Sequence, residues 1–560
     1  MRLDPELKLQ ADAERYTLPR FLDDVVSRHA ARTALRFEGV DTSFGELERA
    51  ARRVARALVS AGVVKGARVA VLMANRPEWV ISAFAVSMTG AVLVPVNTFA
   101  TPAERDYILR HSDASVLLMQ RSLLRRDYLG ELTSSHEALG RCPAGRIRCE
   151  ALPQLRRVIC LGLEEGEGAV EAWSELLADR DDPGDLLLDA IAGEIVPADD
   201  AVIIYTSGTT SHPKGVLHSQ RAPVIQSWRF AELMGLTPDD RVLTAQPFFW
   251  TAGMTMSLGA ALAAGACLIL QEAFEPGAAL ELVEAEKATT LHAWPHQEKS
   301  MAEHDDARSR DLSSLRRIEF SSPLAPIAGL EADEWGTYGS YGLSETFTLA
   351  AAIPASAPAA LRRGTSGVAL PGMSLRVVDP DTGVEKAAGE PGEIAVRGAT
   401  FMRGYYKVEP ELYLDAEGYF RTQDGGSIGA DGRLHWTGRL SNLIKTGGAN
   451  VSPLEIEDAL VDYPGLKAAA AVGVPHPSLG EVIVLCAVEL DGHGIDGEEL
   501  RTFLRERLAA YKVPRLVMSF KLADVSFTGS QKLKVEPLKD LLMRRLAAEG
   551  IRIEGHDYEA

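Results

Sequence analysis

Apolar positions in SFGELERAARRVARALVSAG, residues 43–62, recur at helical spacing, opened by a serine and closed by a glycine. That pattern predicts an amphipathic helix. Two short unbroken apolar runs follow, ARVAVLM and AVLVPVN, and both read as strands buried on two faces. FAVSMTGAVLVPVN, residues 84–97, predicts helix, Gly-Ala turn and strand in sequence. The same grammar returns in TAGMTMSLGAALAAGACLILQ, residues 251–271. This uncharged run is long enough to cross a bilayer. Its wealth of Gly, Ala, Ser and Thr, and Gly265 within it, predict a buried helix, a turn and the core strand CLIL instead. Two copies of this unit point to two related α/β layers, each around a buried parallel sheet.

The texture changes along the chain. Residues 20–120 and 200–350 alternate helix and strand patterns, and residues 121–200 are less regular. From about 366 to 440, short strands broken by Gly, Pro and Asp dominate (MSLRVVDPDTG, GEIAVRG, GRLHWTG), an all-β texture. Residues 441–560 mix helix and strand again.

Length and charge narrow the classes. A chain of 560 residues exceeds one core. Its formal net charge of -19 argues against nucleic acid as a general partner. Against that background, residues 501–545 hold eleven Lys or Arg and four Asp or Glu, a local net of +7. Such a run is either a solvated face or the surface of a small domain that closes over an anion. The five cysteines and the start MRLDPELKLQ show no secretory pattern, so a cytoplasmic protein without a membrane span is expected. Cys142, Cys149 and Cys160, loosely grouped near His136, lack the two-to-four-residue gap of zinc sites.

Candidate chemistry begins at YTSGTTSHPKGV, residues 205–216. It follows the apolar run Ala201 to Ile204, so it lies at the exit of a strand. Gly208 allows a turn whose backbone amides can cradle an anion. Thr206, Ser207, Thr209 and Thr210 add hydroxyls, and Lys214 adds a charge for a departing polyphosphate. The pattern is not the Walker loop, because no Ser or Thr follows the lysine. YGSYGLSETF, residues 338–347, offers Tyr341 for stacking, Ser344 for a phosphoryl oxygen and Glu345 for a hard cation. FRTQD, residues 420–424, offers Asp424 for a ribose diol. TGRLSNLIKTGGANVSPLEIE, AAYKVPR and TGSQKLK complete the ordered set.

Those segments, in that order and spacing, resemble the adenylate-forming superfamily, over residues 20 to 545. GEIAVRG and VGVPHPSLGE look like that family's segments too. The resemblance implies an α/β fold with a large N-terminal domain, residues 1–440, of two stacked α/β subdomains and a small β-rich subdomain. A small mobile α+β domain, residues 441–560, would follow. It implies ATP, Mg²⁺ and CoA as ligands. The loop Thr206 to Lys214 would grip phosphates, with Thr206 and Glu345 at Mg²⁺. Tyr341 and Gly342 would meet adenine, Ser344 the α-phosphate, and Asp424 and Arg439 the ribose. Lys532 would bridge the carboxylate substrate and the α-phosphate, stabilising two anions brought together. Trp250, Gly253 and Trp294 would shape the acyl pocket; Gly447 and Gly448 would let pantetheine approach the backbone. Ser441 would be the hinge.

The chain departs from the family pattern at Ser211, Gln423 and Gln531, each standing where glycine is usual. A position that needs positive φ tolerates such residues poorly, so altered loop mobility is expected there. The branch implied is acid:CoA ligase, acting on a fatty or ring-bearing acid, with the acid and CoA as small-molecule partners and a homodimer compatible with the sequence. One rival passes the acyl group to a free-standing carrier or an amine. Another is a catalytically silent nucleotide-binding homologue, against which the retention of Glu345 and Lys532 speaks.

Overall fold

The computed structural model describes residues 16–178, 182–206, 213–440, 444–446, 449–477, 479–490, 494–508, 510–528 and 532–558. Contacts divide the chain into two compact units. The first holds Met1–Leu375, Val396–Phe420 and Gly432–Leu434; the second holds Arg376–Ala395, Arg421–Asp431 and His435–Ala560.

Two sheets organise the first unit. The larger has eight strands, in the order Gly404–Tyr405, Lys214–Ser219, Asp200–Thr206, Val92–Pro95, Arg68–Leu72, Val116–Gln120, Arg157–Leu161 and Val170–Ala172. Its last six strands are parallel, as their continuous apolar runs predict, and its first two are antiparallel. The smaller orders Thr290–His292, Arg241–Thr244, Cys267–Leu270, Thr33–Phe37 and Val40–Ser43, parallel except for the last strand. Both predicted α/β layers are therefore present. The antiparallel edge of the larger sheet arises because a hairpin, not a helical crossover, joins Asp200–Thr206 to Lys214–Ser219.

Local signals account for the helices. Phe44–Ser60 begins with a capping box in which the Ser43 hydroxyl accepts the Glu46 amide and Glu46 reaches back to the Ser43 amide. Pro77–Met88 leads through Gly90, at φ 69°, into Val92–Pro95. The uncharged run 251–271 folds as a helix, a turn at Gly265 and the strand Cys267–Leu270, as its composition predicts. Its first part, Gly253–Gly259, is π-helical, which the sequence pattern does not reveal. A Cβ on Gly253 would collide with the Pro247 carbonyl, and one on Gly259 with the Ser227 hydroxyl. Small residues thus set the close packing of this helix on Arg221–Met234. No helix among the described residues is long and apolar enough to cross a membrane.

The second unit holds most of a four-stranded sheet, Met373–Val378, Gly392–Gly398, Phe420–Ile428 and Leu434–Arg439. It also holds a five-stranded sheet centred on Leu466–His476 and Gly480–Glu489. Period-two alternation gives that sheet two apolar faces. Val482, Val484 and Cys486 pack with Leu538, Leu542 and Leu546 of helix Val535–Ala548. Ile483 and Leu485 pack with Ile456, Leu500 and Leu504.

Candidate active site

Thr206 and Lys214 face each other at the loop end of the hairpin. Ser207, Gly208, Thr209, Thr210 and Ser211, the rest of the loop, lie outside the described residues. The next strand, Gly404–Tyr405, places Tyr405 opposite Val216. Lys214 Nζ sits 4.9 Å from the Tyr405 ring centroid, within cation–π range. The Tyr405 hydroxyl donates to Glu345 Oε1 at 2.6 Å. One tyrosine thus fixes a cation and an anion without letting them neutralise each other. Neither Lys214 nor Glu345 has an ion-pair partner among the described residues, so both charges stay available to a ligand. Glu345 keeps one oxygen clear of Tyr405, and Thr206 offers a hydroxyl, a donor set suited to Mg²⁺ shared with phosphate oxygens.

Glu345 stands on a one-turn 3₁₀ helix, Ser344–Thr346, held from several sides. The Met402 amide donates to the Glu345 carbonyl at 2.7 Å. Gln226 Nε2 donates to the Thr346 and Leu349 carbonyls at 2.8 and 2.7 Å. His218 Nε2 donates to the Ser344 carbonyl at 2.7 Å. The chain then passes through two left-handed residues, Phe347 at φ 50° and Thr348 at φ 92°. A β-branched residue at such φ is an outlier that only the surrounding bonds sustain. Gly342 is required by the same turn, since a Cβ on it would collide with the Thr348 carbonyl oxygen. Tyr341 is buried and pairs with Ala351 across a two-residue ladder.

Removing the tyrosine bridge should show its role. Tyr405→Phe keeps the ring under Lys214 but deletes the bond to Glu345. Losing a hydrogen bond to a charged group costs about 1.5–3 kcal/mol. We expect the Mg²⁺ concentration for half-maximal activity to rise about tenfold, the lower end of that range. An unchanged magnesium titration would remove Tyr405 from the site.

Burial also sets a pH dependence. Burial pushes His218 down to about 3 and His292 down to about 4, from an ordinary 6.5, so both are neutral in the fold. Groups whose folded value is depressed bind more protons when unfolded. Their contribution is full above 6.5 and is lost as pH falls towards the folded values. At pH 5 each should cost about 2 kcal/mol of stability. His218→Gln keeps a donor for Ser344 and cannot titrate. Its melting temperature should therefore fall less than that of the wild type between pH 7 and pH 5.

Trp250 and Trp294 meet edge to face with ring centroids 6.2 Å apart. Phe249 packs on Trp250 at 5.1 Å. Gly253 opens the π-helix beside them. Thr255 of that helix shares a 3.1 Å hydrogen bond with Thr348. This bond ties the aromatic wall to the Glu345 turn, so the first unit brings both candidate regions together.

In the second unit, Asp424 is buried in strand Phe420–Ile428, its amide donating to the Thr422 hydroxyl. Gln423 adopts φ 60°, so this position keeps a glycine-like conformation at a cost of about 1–2 kcal/mol. Its amide donates to Glu393 Oε1 at 2.8 Å. Arg439 ends strand Leu434–Arg439. Lys532 is exposed; its amide donates to the Thr528 hydroxyl, and the Thr528 amide donates to its carbonyl. Burial raises Glu457, and the Ala471 amide and the Lys532 charge pull it back. Ser441, Gly447, Gly448 and Gln531 lie outside the described residues.

The sequence motifs do not include Tyr405, His218 or Gln226. The one signal was RGYYK, residues 403–407, polar and aromatic just after GEIAVRG.

The AMP-binding enzyme model matches residues 22–406, and the AMP-binding enzyme C-terminal domain model matches residues 455–532. The chain belongs to the AMP-binding enzyme family. This AMP-binding enzyme is 34% identical to a feruloyl-CoA synthase of Amycolatopsis, over 91% of this chain and 95% of the relative. It is 32% identical to the indoleacetate–CoA ligase of Aromatoleum aromaticum, over 94% and 99% respectively. Among solved structures, the amide bond synthetase McbA of Marinactinospora thermotolerans superposes with a TM-score of 0.75 at 27% identity, covering 94% of this chain and 99% of that one. The mixed α/β architecture is that of adenylate-forming enzymes.

Proposed function

We propose that this AMP-binding enzyme is an AMP-forming acid:CoA ligase for ring-bearing carboxylic acids. The observation that carries the reading is the pair Lys214 and Glu345, fixed by one tyrosine yet left un-neutralised, with an aromatic wall tied to the same turn. Lys214 balances the charge of the leaving pyrophosphate. Thr206 and Glu345 would hold Mg²⁺, which when bound supplies positive charge against the phosphates. Tyr341, Gly342, Ser344, Asp424 and Arg439 are proposed to hold the nucleotide. Trp250, Gly253 and Trp294 orient the acid's apolar body, consistent with the ring-bearing acids named for the relatives. Lys532 screens the approach of the carboxylate to the α-phosphate. We place the boundary of the moving domain at residue 440, with Ser441 as hinge, and Gly447 and Gly448 beside the pantetheine arm. The five cysteines are free thiols, which supports a cytoplasmic setting.

Amide formation is a second reading, favoured by the likeness to McbA. Acid-dependent exchange of labelled pyrophosphate into ATP tests adenylation. Adding CoA, then an amine, to the same mixture tests the acceptor. Thioester formation with CoA is expected; product with amine alone would replace the CoA reading.

A further inference from the structure

We propose that Asp113 is a positioning residue for Mg²⁺ and phosphate binding: by gripping Tyr406 and Lys407 it holds Tyr405 where that tyrosine bridges Lys214 and Glu345. The inference deepens the adenylation reading above and rests on it. The strand that carries Tyr405 is only two residues long, Gly404–Tyr405. The residues at its two ends therefore decide how firmly it is held. At the first end Arg403 meets Asp200 at 3.1 Å, but both side chains are exposed, and exposed ion pairs contribute little.

The grip at the other end is closer. The Tyr406 hydroxyl donates to Asp113 Oδ2 at 2.8 Å, and Lys407 Nζ donates to Asp113 Oδ1 at 2.9 Å. Both carboxylate oxygens are thus committed to the two residues that follow Tyr405. The Asp113 side chain is 23% exposed, and Arg68 adds a second cation at 3.8 Å. Burial raises the Asp113 carboxyl, but its bonds to Lys407 and Tyr406 outweigh that and hold it below its ordinary value. It is therefore ionised, and both bonds are charge-assisted. Asp113 at φ 56° and Lys407 at φ 61° are left-handed, a conformation that residues other than glycine adopt rarely and that surrounding bonds must sustain.

Asp113 comes two residues after the helix Pro102–His111, and the end of that helix also backs the strand that carries Lys214. The His111 ring meets the Tyr406 ring edge to face at 5.9 Å, and His111 Nδ1 lies 2.8 Å from the Tyr205 hydroxyl. The Tyr205 ring lies against Gly215, where a Cβ would come within 3.2 Å of Tyr205 Cζ. Gly215 directly follows Lys214, and its carbonyl accepts the Tyr406 amide at 2.7 Å. His111 and Asp113 thus support the two strands that present Lys214 and Tyr405. Asp113 itself bonds to Tyr406 and Lys407, not to Glu345 or Lys214, so its influence on the site passes through Tyr405.

Equilibrium binding of labelled ATP across a Mg²⁺ titration tests this, because its midpoint reports on Glu345 whatever the acid. Asp113→Gly removes the grip and leaves a residue at ease at φ 56°. Its midpoint should rise about fivefold, and that of Tyr406→Phe, which loses one hydroxyl, about threefold. Asp113→Asn keeps an acceptor for Tyr406 and should stay within about twofold of wild type. Tyr405→Phe alone should raise the midpoint about tenfold. Because Asp113 acts through the Tyr405 hydroxyl, Asp113→Gly combined with Tyr405→Phe should stay at about tenfold and not reach the product of about fiftyfold. Should Asp113→Gly not fold, Tyr406→Phe combined with Tyr405→Phe runs the same cycle, with about tenfold expected against a product of about thirtyfold. A merely structural Asp113 would lower the melting point and leave the midpoint in place, and that result overturns the inference. A double variant that shows the full product overturns it too. A wild type whose ATP binding ignores Mg²⁺ sinks the adenylation reading together with this inference, whereas multiplied effects on a Mg²⁺-dependent wild type sink the inference alone.

Discussion

Replacing Lys532 with alanine should lower acid-dependent pyrophosphate exchange about 10²–10³-fold, the cost of removing one preorganised charge from the transition state. The side chain is exposed and sits outside the apolar layer formed by Val482, Val484, Cys486 and helix Val535–Ala548. Its loss should therefore leave the thermal melt unchanged. Electrostatic relief between two anions is needed only while the carboxylate approaches the phosphate. Thioester formation from supplied acyl-AMP and CoA has no such encounter, so it should change by less than about threefold. Measuring both half-reactions on one preparation makes the comparison internal. Equal losses in both would show that Lys532 holds the second unit together or binds a shared ligand, and the proposed role would fall.

Much of this arrangement is visible in the sequence, and the parts that are not share a cause. The parallel strands announce themselves as unbroken apolar runs, because a strand covered on two faces has no polar side to show. Helix Phe44–Ser60 is marked by Ser43 and Glu46, whose capping bonds are local. The left-handed demand at Gln423 is legible by contrast with glycine, and the residue does adopt φ 60°. The π-helical stretch Gly253–Gly259 is hidden, since a run of small uncharged residues carries no periodicity to separate one helix type from another. Tyr405 is hidden for a different reason. It reaches Lys214 and Glu345 only because strand Gly404–Tyr405 pairs with Lys214–Ser219, a contact across nearly 190 residues that no local pattern encodes. Gln226 and His218 hold the Glu345 turn from equally distant positions. The motif residues that bear charge are readable; the residues that aim those charges are fixed by tertiary pairing.

Gly342→Ala should cripple adenylation while leaving the protein folded. The added methyl would fall on the Thr348 carbonyl oxygen, a backbone atom that cannot rotate away. Relief requires the segment Leu343–Thr348 to shift, and Glu345 must shift with it. Three features resist that shift: the Gln226 bonds to Thr346 and Leu349, the His218 bond to Ser344, and the Met402 bond to Glu345. Overpacking of this kind typically costs about 1–3 kcal/mol of stability. The catalytic cost is larger. A displaced Glu345 loses its bond to Tyr405 and its register with Lys214, and misplacement by about 1 Å can cost about 10²-fold in rate. We expect pyrophosphate exchange to fall about 10²-fold with a melting point only a few degrees lower. Gly339→Ala, six residues before Glu345, is the control: its Cβ would come no closer than 3.5 Å to Arg362 and Ile353, an ordinary contact. If both variants lose activity equally, the loss reflects general disturbance of the segment. If Gly342→Ala retains full exchange, the turn has room to adapt, and the position of Glu345 is not what limits the chemistry.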